Sequence, residues 1–465
     1  MNRIVILFFI SCFSLSLSGQ VFDVDTLQYS GNKDKFINLV VLGDGYVAAE
    51  LPKFATDAQA FADYFFSWAP FQEYKSYFNV FCIKVPSNQS GASHPGTATD
   101  VTEPVFPVSQ VDNYFGSAFD SYGIHRLVVA YNTSAITNVL ATNFPSYDQV
   151  IILVNSPEYG GSGGYYSVAT MHSSSGELAL HELGHGFAGL HDEYWAGDNY
   201  AGEGVNMTKE TSISKVRWTN WINTNGVGIY QHCCTTVSAS WYRPHQNCKM
   251  RYLGTSYCPV CGEHIIEVIH SFVSPVIGWV PSNANIITDI NNLDFKVILI
   301  KPYPNTLKTN WKLNGITYPH NSDSIKIEQV RLRPGLNALT VTVEDTTENL
   351  RVNNHASIHI SVVTWTIKNE GIGTGIEITS GSENVTLNIY PNPSDKFINI
   401  EIQQESLQEL KAEIWDLNGK LQKIFPLNNN SLTTLDLSEL YNGIYIIKIY
   451  GDNNLITSSK IIKSD

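Results

Sequence analysis

The stretch HELGHGFAGLHDEYW, residues 181–195, decides the fold of the first half of this chain. It begins with two histidines four residues apart, which on an α-helix lie on one face and can bind the same cation. Glu182 follows the first histidine, where its carboxylate can hold a water molecule beside that cation. The stretch therefore predicts a helix that carries His181 and His185 as zinc ligands and Glu182 as a general base.

Spacing alone leaves two candidates for the third ligand. In the extended motif HExxHxxGxxH, a glycine ends the helix and the third ligand follows three residues later. Gly189 lies eight residues after His181, one place later than in that motif, and three residues beyond Gly189 is Asp192. Counting ten residues from His181 selects His191 instead. Either residue would complete a catalytic zinc site, in which three protein ligands leave one position open for water.

The segments around this stretch alternate between strand-like and helix-like patterns. Ser174 and Glu177 predict a capping box at the start of the helix. The preceding glycine-rich segment, residues 160–169, would either permit close approach of a substrate backbone or form a plain flexible loop. Apolar runs typical of strands cover residues 36–42, 78–85, 127–131 and 150–155, and helical apolar spacing covers residues 48–66. This alternation predicts an α/β or α+β domain over residues 20–274.

The second half of the chain has the pattern of β-structure. Apolar residues at every second position occur at Leu339, Val341, Val343, Ile358, Ile360 and Val362. Together with turn sequences, this alternation predicts an immunoglobulin-like β-sandwich over residues 275–368. The glycine and serine content of residues 369–384 predicts a linker. Short strand patterns over residues 385–465 predict a small C-terminal β-sandwich.

Length, charge and the N-terminus restrict the organisation and the partners. The 465 residues suggest about three domains, at ~150 residues per domain. A net charge of -14 with 29 basic residues lacks the cationic surplus that favours nucleic acid or anionic lipid. Residues 1–19 combine Arg3 with an apolar run from Ile4 to Leu17 and predict a signal peptide. No later segment has the length and hydropathy predicted for a membrane span.

Six cysteines remain after removal of the signal peptide, five of them between residues 233 and 261. In an exported protein, an even number of cysteines predicts disulfides, although the sequence does not fix their pairing. The alternative is a second, structural zinc site with four thiolate ligands. Its ligands would come from Cys233, Cys234, Cys248, Cys258 and Cys261.

Three segments together resemble the IgA-peptidase family of zinc metallopeptidases, which groups with the metzincins. They are LGDGYVAAELPKF at residues 42–54, HELGHGFAGLHDEYW, and CKMRYLGTSYCPVC at residues 248–261, and the resemblance covers most of residues 36–263. In that family the position of His191 is often alanine, so the resemblance favours Asp192 as third ligand, with His191 as the alternative. It also implies that Met250 forms the methionine turn beneath the metal. Tyr252 would stabilise the developing oxyanion.

The C-terminal block resembles the sorting domain of the type IX secretion system. The motifs are YPNP at residues 390–393, DLNGK at 416–420, LDLSELYNGIYIIKI at 435–449 and KIIK at 460–463. The resemblance implies export across both bacterial membranes by the type IX machinery. We therefore expect a secreted or cell-surface protein.

These observations predict a secreted zinc endopeptidase that hydrolyses peptide bonds with a metal-activated water and Glu182 as general base. We expect an extended substrate to pair with an edge strand near residues 150–155. The alternative is a surface-binding protein that keeps the zincin fold and grips a host glycan or protein. Intact Glu182 argues against that alternative, because a site that had lost its activity would not need the base. An exopeptidase is a third possibility for which the sequence offers no specific feature.

Overall fold

The chain divides between Val273 and Ser274 into two compact units. The computed structural model describes residues 20–234, 236–291, 293–318, 321–353, 355–369, 376–379, 386–403, 409–428 and 431–464. The predicted signal peptide, residues 1–19, lies outside the described residues. Within the described ranges, no helix combines the length and the apolar character that crossing a bilayer requires.

A six-stranded sheet forms the centre of the N-terminal unit. The strands of this unit are β1 (Val24–Gln28), β2 (Ile37–Asp44), β3 (Phe78–Ile83), β4 (Ser117–Ala118), β5 (Val129–Ala130), β6 (Gln149–Val154), β7 (Gly161–Ser162), β8 (Ser167–Thr170), β9 (Tyr230–Gln231) and β10 (Tyr242–Arg243). The central sheet has the order β1-β3-β2-β6-β8-β7, while β4 pairs with β5 and β9 with β10. Strands β3, β2, β6 and β8 run parallel, and β1 and β7 are antiparallel to their neighbours. Every residue of β2 and β3 is buried, as expected for parallel strands covered on both faces.

Four α-helices accompany this sheet. They are α1 (Leu51–Phe65), α2 (Thr133–Asn143), α3 (Ser175–Ala188) and α4 (Pro259–Phe272). The predicted apolar face of α1 is confirmed, since Phe54, Ala58, Phe61 and Phe65 are buried. Short 3-10 helices occur at Lys33–Lys35, Ala48–Glu50, Lys75–Tyr77, Ser121–Gly123, Asp198–Tyr200, Thr219–Trp221, Ser238–Ser240 and, in the second unit, Gln329–Arg331.

Helix α3 begins directly after Ser174, but the predicted capping box is wrong. The Ser174 side chain makes no cap hydrogen bond. Glu177 instead accepts hydrogen bonds from Lys249 Nζ at 2.6 Å, from the Gly254 amide at 2.7 Å and from the Tyr64 hydroxyl. Lys249 is fully buried. The Glu177 carboxylate therefore compensates a buried cation, which is a stronger requirement than capping a helix.

The prediction of an edge strand at residues 150–155 is wrong. Strand β6 is paired on both sides, with β2 and with β8. A continuous apolar run is the pattern of a strand buried on both faces, and the sequence gives no signal that separates an interior strand from an edge strand. The last strand in the sheet order is β7, whose two residues carry no strand pattern of their own and whose Gly161 is bridged to Leu127.

The C-terminal unit contains four sheets and little helix. Its elements are β11 (Val276–Val280), β12 (Asp294–Leu299), β13 (Leu307–Leu313), β14 (Ile316–Tyr318), β15 (Ser324–Lys326), β16 (Gly335–Asp345), α5 (His355–Ile358), β17 (Ile360–Asn369), β18 (Ile376–Thr379), β19 (Thr386–Tyr390), β20 (Phe397–Gln403), β21 (Leu410–Asp416), β22 (Leu421–Leu427), β23 (Leu432–Asp436), β24 (Gly443–Gly451) and β25 (Asn454–Lys463). The sheets have the orders β11-β12-β15, β14-β13-β16-β17, β18-β19-β20-β23 and β22-β21-β24-β25. The first two share one hydrophobic core and the last two share another. The chain is thus a mixed α/β protein with several β-sheets, consistent with the predicted multidomain organisation.

One strand of this unit differs from the pattern expected. Strand β16 buries Leu339, Val341 and Val343 as predicted, but Ile358, at the end of α5, and Val362, in β17, are exposed. Strand β17 buries Val363, Trp365 and Ile367 instead, one residue out of phase, because the aromatic side chain fills the core. Within the predicted linker 369–384, residues Ile376–Thr379 form β18, so the linker prediction does not describe them; residues 370–375 and 380–384 lie outside the described residues.

Candidate metal and catalytic site

Three predicted ligand side chains meet at one point. His181 Nε2 lies 3.0 Å from Asp192 Oδ1, His185 Nε2 lies 3.3 Å from the same oxygen, and the two Nε2 atoms lie 3.2 Å apart. We call these three residues the histidine–aspartate cluster. His181 is buried, and His185 and Asp192 are partly buried.

The second nitrogen of each histidine is fixed by a backbone carbonyl. His181 Nδ1 lies 2.9 Å from the Lys249 carbonyl oxygen, and His185 Nδ1 lies 2.6 Å from that of Leu190. A carbonyl only accepts, so each Nδ1 carries the proton and donates it. When the histidines are neutral, this tautomer aims both Nε2 lone pairs at the same point, as in proteins whose histidines bind a metal.

The spacing of the three donor atoms fits a zinc ion. With bonds of about 2.0–2.1 Å in a tetrahedron, neighbouring ligand atoms lie about 3.3–3.4 Å apart. The observed separations of 3.0, 3.2 and 3.3 Å are close to that value. Asp192 Oδ1 is buried and faces both Nε2 atoms, so the cluster has the donor atoms of a cation site.

The turn after α3 explains why Asp192 and not His191 joins this cluster. Gly189 adopts a left-handed conformation with φ 59°, and its amide donates to the His185 carbonyl oxygen at 2.9 Å. This glycine ends the helix and reverses the chain, which brings Asp192 back over the histidines. The His191 backbone is held by Asn206, and its ring lies against Gly202 and Gly204. The geometry therefore agrees with the count of three residues from Gly189, which selects Asp192, and not with the count of ten from His181.

Glu182 lies in the same cleft as the cluster and is buried. Its carboxylate faces Gly163, where a side-chain carbon would overlap Glu182 Oε2. The backbone of Gly163 thus comes close to the candidate base, which only a residue without a side chain permits. Gly163 was not singled out from the sequence, because nothing local distinguishes it from its glycine neighbours.

The two carboxylates of the site have pKa values shifted in opposite directions, upward for Glu182 and downward for Asp192. Burial raises the pKa of Glu182, which suits a group that must accept a proton near neutral pH. For Asp192 burial acts in the same direction, but hydrogen bonds with His181 and His185 outweigh it and lower its pKa. For His185 burial lowers the pKa, and the hydrogen bond with Asp192 outweighs it and raises the pKa to about 9. Asp192 is therefore the stable anion of the cluster.

Met250, the residue predicted to form the methionine turn, packs against α3. It is fully buried, and a side-chain carbon at Gly184 would overlap its sulfur atom. Its carbonyl oxygen accepts a hydrogen bond from the Glu193 amide at 2.7 Å. The segment around Met250, which we call the methionine segment, thus contacts both the helix with the histidines and the turn with Asp192.

The cleft in front of the cluster has a volume of about 590 Å³ and is bounded on one side by Gly161, Ser162, Gly163 and Gly164. Tyr252, the predicted oxyanion residue, is half exposed and lines an adjoining pocket with His181 and Glu182. Its catalytic role stays a prediction. Tyr194 also lines the cleft, and its ring stacks on His181 with centroids 6.2 Å apart.

Arginine side chains give this cleft a positive edge that the sequence did not indicate. Arg126 lines both the cleft and the adjoining pocket, and Arg251 lines the pocket. Arg251 also lies over the Tyr252 ring, 4.7 Å from its centroid. Only the fold brings Arg126 here, since it lies 56 residues before Glu182 in a segment without any motif.

The disulfide prediction is not confirmed, because all six described cysteines are free thiols. Cys233 and Cys234 are exposed, with sulfur atoms 2.8 Å apart. Cys82 is buried in β3. The other three, Cys248, Cys258 and Cys261, meet Glu193 behind the histidine–aspartate cluster.

Comparison with known families identifies the two ends of the chain. The N-terminal match is to a peptidase family and the C-terminal match is to a sorting domain of secreted proteins. Specifically, residues 26–226 match the IgA Peptidase M64 family, and residues 388–464 match the secretion system C-terminal sorting domain. Both resemblances inferred from sequence are confirmed, and the type IX sorting domain makes this a secreted or cell-surface protein. The peptidase match ends before Met250, Tyr252 and the clustered cysteines.

Other comparisons add little. None of the curated proteins compared with the chain matches it. Among solved structures, dimeric latent PorU from Porphyromonas gingivalis is 14% identical, with 34% of this chain and 16% of that chain covered and a TM-score of 0.16. The β-glucuronidase of Parabacteroides merdae is 7% identical, with 49% and 28% covered and a TM-score of 0.15. The chain thus spans under a third of either protein, and such scores do not establish a shared fold.

Proposed function

We propose that this protein is a secreted zinc-dependent endopeptidase with a zincin-like catalytic domain. The observation that carries the proposal is the convergence of His181 Nε2, His185 Nε2 and Asp192 Oδ1 within 3.3 Å of one another, beside buried Glu182. The match of residues 26–226 to a peptidase family supports it. The domain boundaries stay as predicted, with the peptidase over residues 20–274 and an immunoglobulin-like sandwich over residues 275–368.

The three residues of the histidine–aspartate cluster would hold the zinc ion. When bound there, zinc would supply Lewis-acid polarisation of the scissile carbonyl and lower the pKa of a water molecule. Glu182 accepts the proton of the attacking water and passes it to the leaving amine. Its buried position and raised pKa make the carboxylate basic enough for this task.

The end of the central sheet is the element best placed to bind an extended peptide. Strand β7 and the glycines that follow it line the cleft beside Glu182. Backbone groups of residues 162–164 can pair with a substrate strand and lay the scissile bond across the cluster. This assignment replaces the interior strand β6, which has both of its edges paired.

An oxyanion on the substrate would form near the tyrosines of the cleft. Tyr252 lines the pocket with Glu182 and is half exposed, so its hydroxyl can turn towards a bound substrate. Tyr194 lies closer to the cluster, and burial raises its pKa, so that it stays protonated and able to donate. We keep Tyr252 as the proposed donor and Tyr194 as the residue that orients Asp192.

The test is the digestion of an unbiased peptide library by the full chain purified after export. Wild type, Glu182→Gln and wild type treated with a chelator are compared by mass spectrometry. We expect internal cleavages from the zinc-loaded wild type, a loss of about 10²–10⁴-fold with Glu182→Gln, and no cleavage after chelation until zinc is restored. Equal behaviour of all three samples, with zinc bound in the wild type, would overturn the proposal and favour a binding protein.

A further inference from the structure

A second group of metal-binding side chains lies behind the histidine–aspartate cluster. Glu193, Cys248, Cys258 and Cys261 each offer one donor atom, and these four atoms all lie within 4.8 Å of one another. We call them the cysteine–glutamate cluster. None of the four residues is more than 2% exposed. Such a group is closed to substrate, as structural zinc sites are.

The distances within this cluster fit a tetrahedral metal site. The sulfur atoms of Cys248 and Cys261 are 3.8 Å apart, and Glu193 Oε1 lies 3.2 Å from the Cys261 sulfur and 3.6 Å from the Cys258 sulfur. With zinc–sulfur bonds of about 2.3 Å and zinc–oxygen bonds of about 2.0–2.2 Å, tetrahedral separations are about 3.8 Å between sulfurs and about 3.6 Å from sulfur to oxygen. A disulfide, by contrast, would need its sulfurs about 2.05 Å apart.

Glu193 is the observation that points to a cation in this cluster. Its side chain is fully buried, and Glu193 Oε2 has no hydrogen-bond partner among the described residues. Burying a carboxylate without a compensating partner is costly, so buried carboxylates are paired or bind metals. A disulfide between Cys248 and Cys261 would bring no positive charge to this carboxylate, whose Oε1 also accepts a hydrogen bond from the Asn206 side-chain amide at 3.4 Å.

The backbone around the cysteines also favours thiolates. The Cys258 amide donates a hydrogen bond to the Cys248 sulfur at 3.3 Å. Cys258 is the N-cap residue of the 14-residue helix α4, and Cys261 lies in its first turn. A helix N-terminus stabilises negative charge on a thiol, which is the form that binds a metal.

We propose that the cysteine–glutamate cluster binds a structural zinc ion. The four ligands would be three thiolates and the Glu193 carboxylate, so Glu193 takes the place expected for a fourth cysteine. Cys233 and Cys234 are exposed and outside the cluster, so they are not ligands. The proposal does not depend on the function of the histidine–aspartate cluster, because no residue is shared.

The position of this site gives it a role in the architecture of the cleft. Glu193 follows Asp192, and its amide donates to the Met250 carbonyl oxygen at 2.7 Å. Cys248 precedes Lys249, whose carbonyl oxygen fixes the tautomer of His181. A metal ion that joins Glu193 to Cys248 would therefore tie the turn with Asp192 to the methionine segment beneath the histidines.

Cobalt substitution tests this proposal with a readout that does not involve activity. Thiolate-to-cobalt charge transfer absorbs strongly in the near ultraviolet, and the histidine–aspartate cluster contains no sulfur ligand. We expect the band in the full chain loaded with Co²⁺ and in His181→Ala. We expect it to disappear in Cys258→Ser/Cys261→Ser and to persist in the matched control Cys233→Ser/Cys234→Ser. A band that is absent from wild type, or lost in the control, would overturn the assignment.

Zinc content and thiol reactivity complete the test. Native mass spectrometry should find one zinc ion that is retained in His181→Ala and lost in Cys258→Ser/Cys261→Ser, whichever result the peptidase assay gives. If the double cysteine variant fails to fold, Glu193→Gln replaces it, and we expect a weaker affinity with the charge-transfer band retained. Alkylation of the denatured, unreduced chain should modify Cys248, Cys258 and Cys261 once a chelator is present. Protection of two of them until a reductant is added would show a disulfide and refute the site.

Discussion

Replacing Asp192 with alanine should weaken zinc binding at the histidine–aspartate cluster far more than replacing its neighbour His191. Asp192 Oδ1 lies 3.0 and 3.3 Å from the two histidine nitrogens, so the substitution removes one of three donor atoms. The His191 ring lies against Gly202 and Gly204, so its removal leaves all three donors in place.

The expected loss of zinc affinity can be compared with the loss caused by removing a residue that orients a metal ligand without binding the metal. Loss of a group that only orients a metal ligand costs about 10–100-fold in affinity. Loss of Asp192 as a ligand should therefore exceed about 100-fold, which corresponds to more than about 2.8 kcal/mol at 1.4 kcal/mol per tenfold change. His191→Ala should stay below about tenfold, because its ring is not among the groups that hold the ligands.

The assay is competition for zinc between the full chain and a fluorescent chelator, with folding checked by circular dichroism. His181→Ala identifies which binding step belongs to this cluster, since that step disappears in the variant. Asp192→Asn should fall between wild type and Asp192→Ala, because it keeps an oxygen donor but loses the charge. If His191→Ala loses as much affinity as Asp192→Ala, the assignment of the third ligand is refuted.

Three further predictions follow from other contacts of the N-terminal unit. Gly163→Ala should lower kcat at least about tenfold with unchanged zinc content, because the added carbon displaces the Glu182 carboxylate. The control is Gly262→Ala, whose added carbon meets no atom within 4 Å, and equal kcat values for the two variants would contradict the prediction. Lys249→Met should destabilise the unit by roughly 3–5 kcal/mol in denaturant unfolding, because Glu177 is left partly buried without its cation. The double variant Glu177→Gln/Lys249→Met should recover part of this loss, and a double variant no more stable than Lys249→Met would contradict the pairing argument. Arg126→Ala should reduce kcat/KM for peptides with an acidic side chain near the scissile bond more than for neutral ones, because Arg126 lines the cleft; equal losses for both peptides would show that its charge does not select substrates.

Much of the fold could be predicted from local sequence patterns. Buried strands β2, β3 and β6 and the apolar face of α1 have periodicities that depend on neighbouring residues only. Strand order could not be predicted in this way, because it depends on which distant segments pair. The interior place of β6 and the terminal place of the two-residue strand β7 are the clearest examples.

The same limit applies to the candidate site. His181, Glu182 and His185 lie on one helix with known periodicity, so their convergence could be expected from the sequence. Arg126 and Gly163 reach the site through strand order and through a turn between strands. Lys249 is fixed by a pairing with Glu177, 72 residues away. No local pattern carries such contacts.

The adjacent residues Asp192 and Glu193 connect the two clusters. Although the two residues are adjacent, one carboxylate faces the histidines while the next faces the thiols. Asp192 Oδ1 lies 3.0 Å from His181, and Glu193 Oε1 lies 3.2 Å from the Cys261 sulfur. The acidic pair and the CxxC segment were both visible in the sequence, but their relation depends on the left-handed turn at Gly189 and on the start of α4. A cation at the inner cluster would hold the segment that presents Asp192, so the inner cluster would fix the geometry of the outer one without contacting substrate.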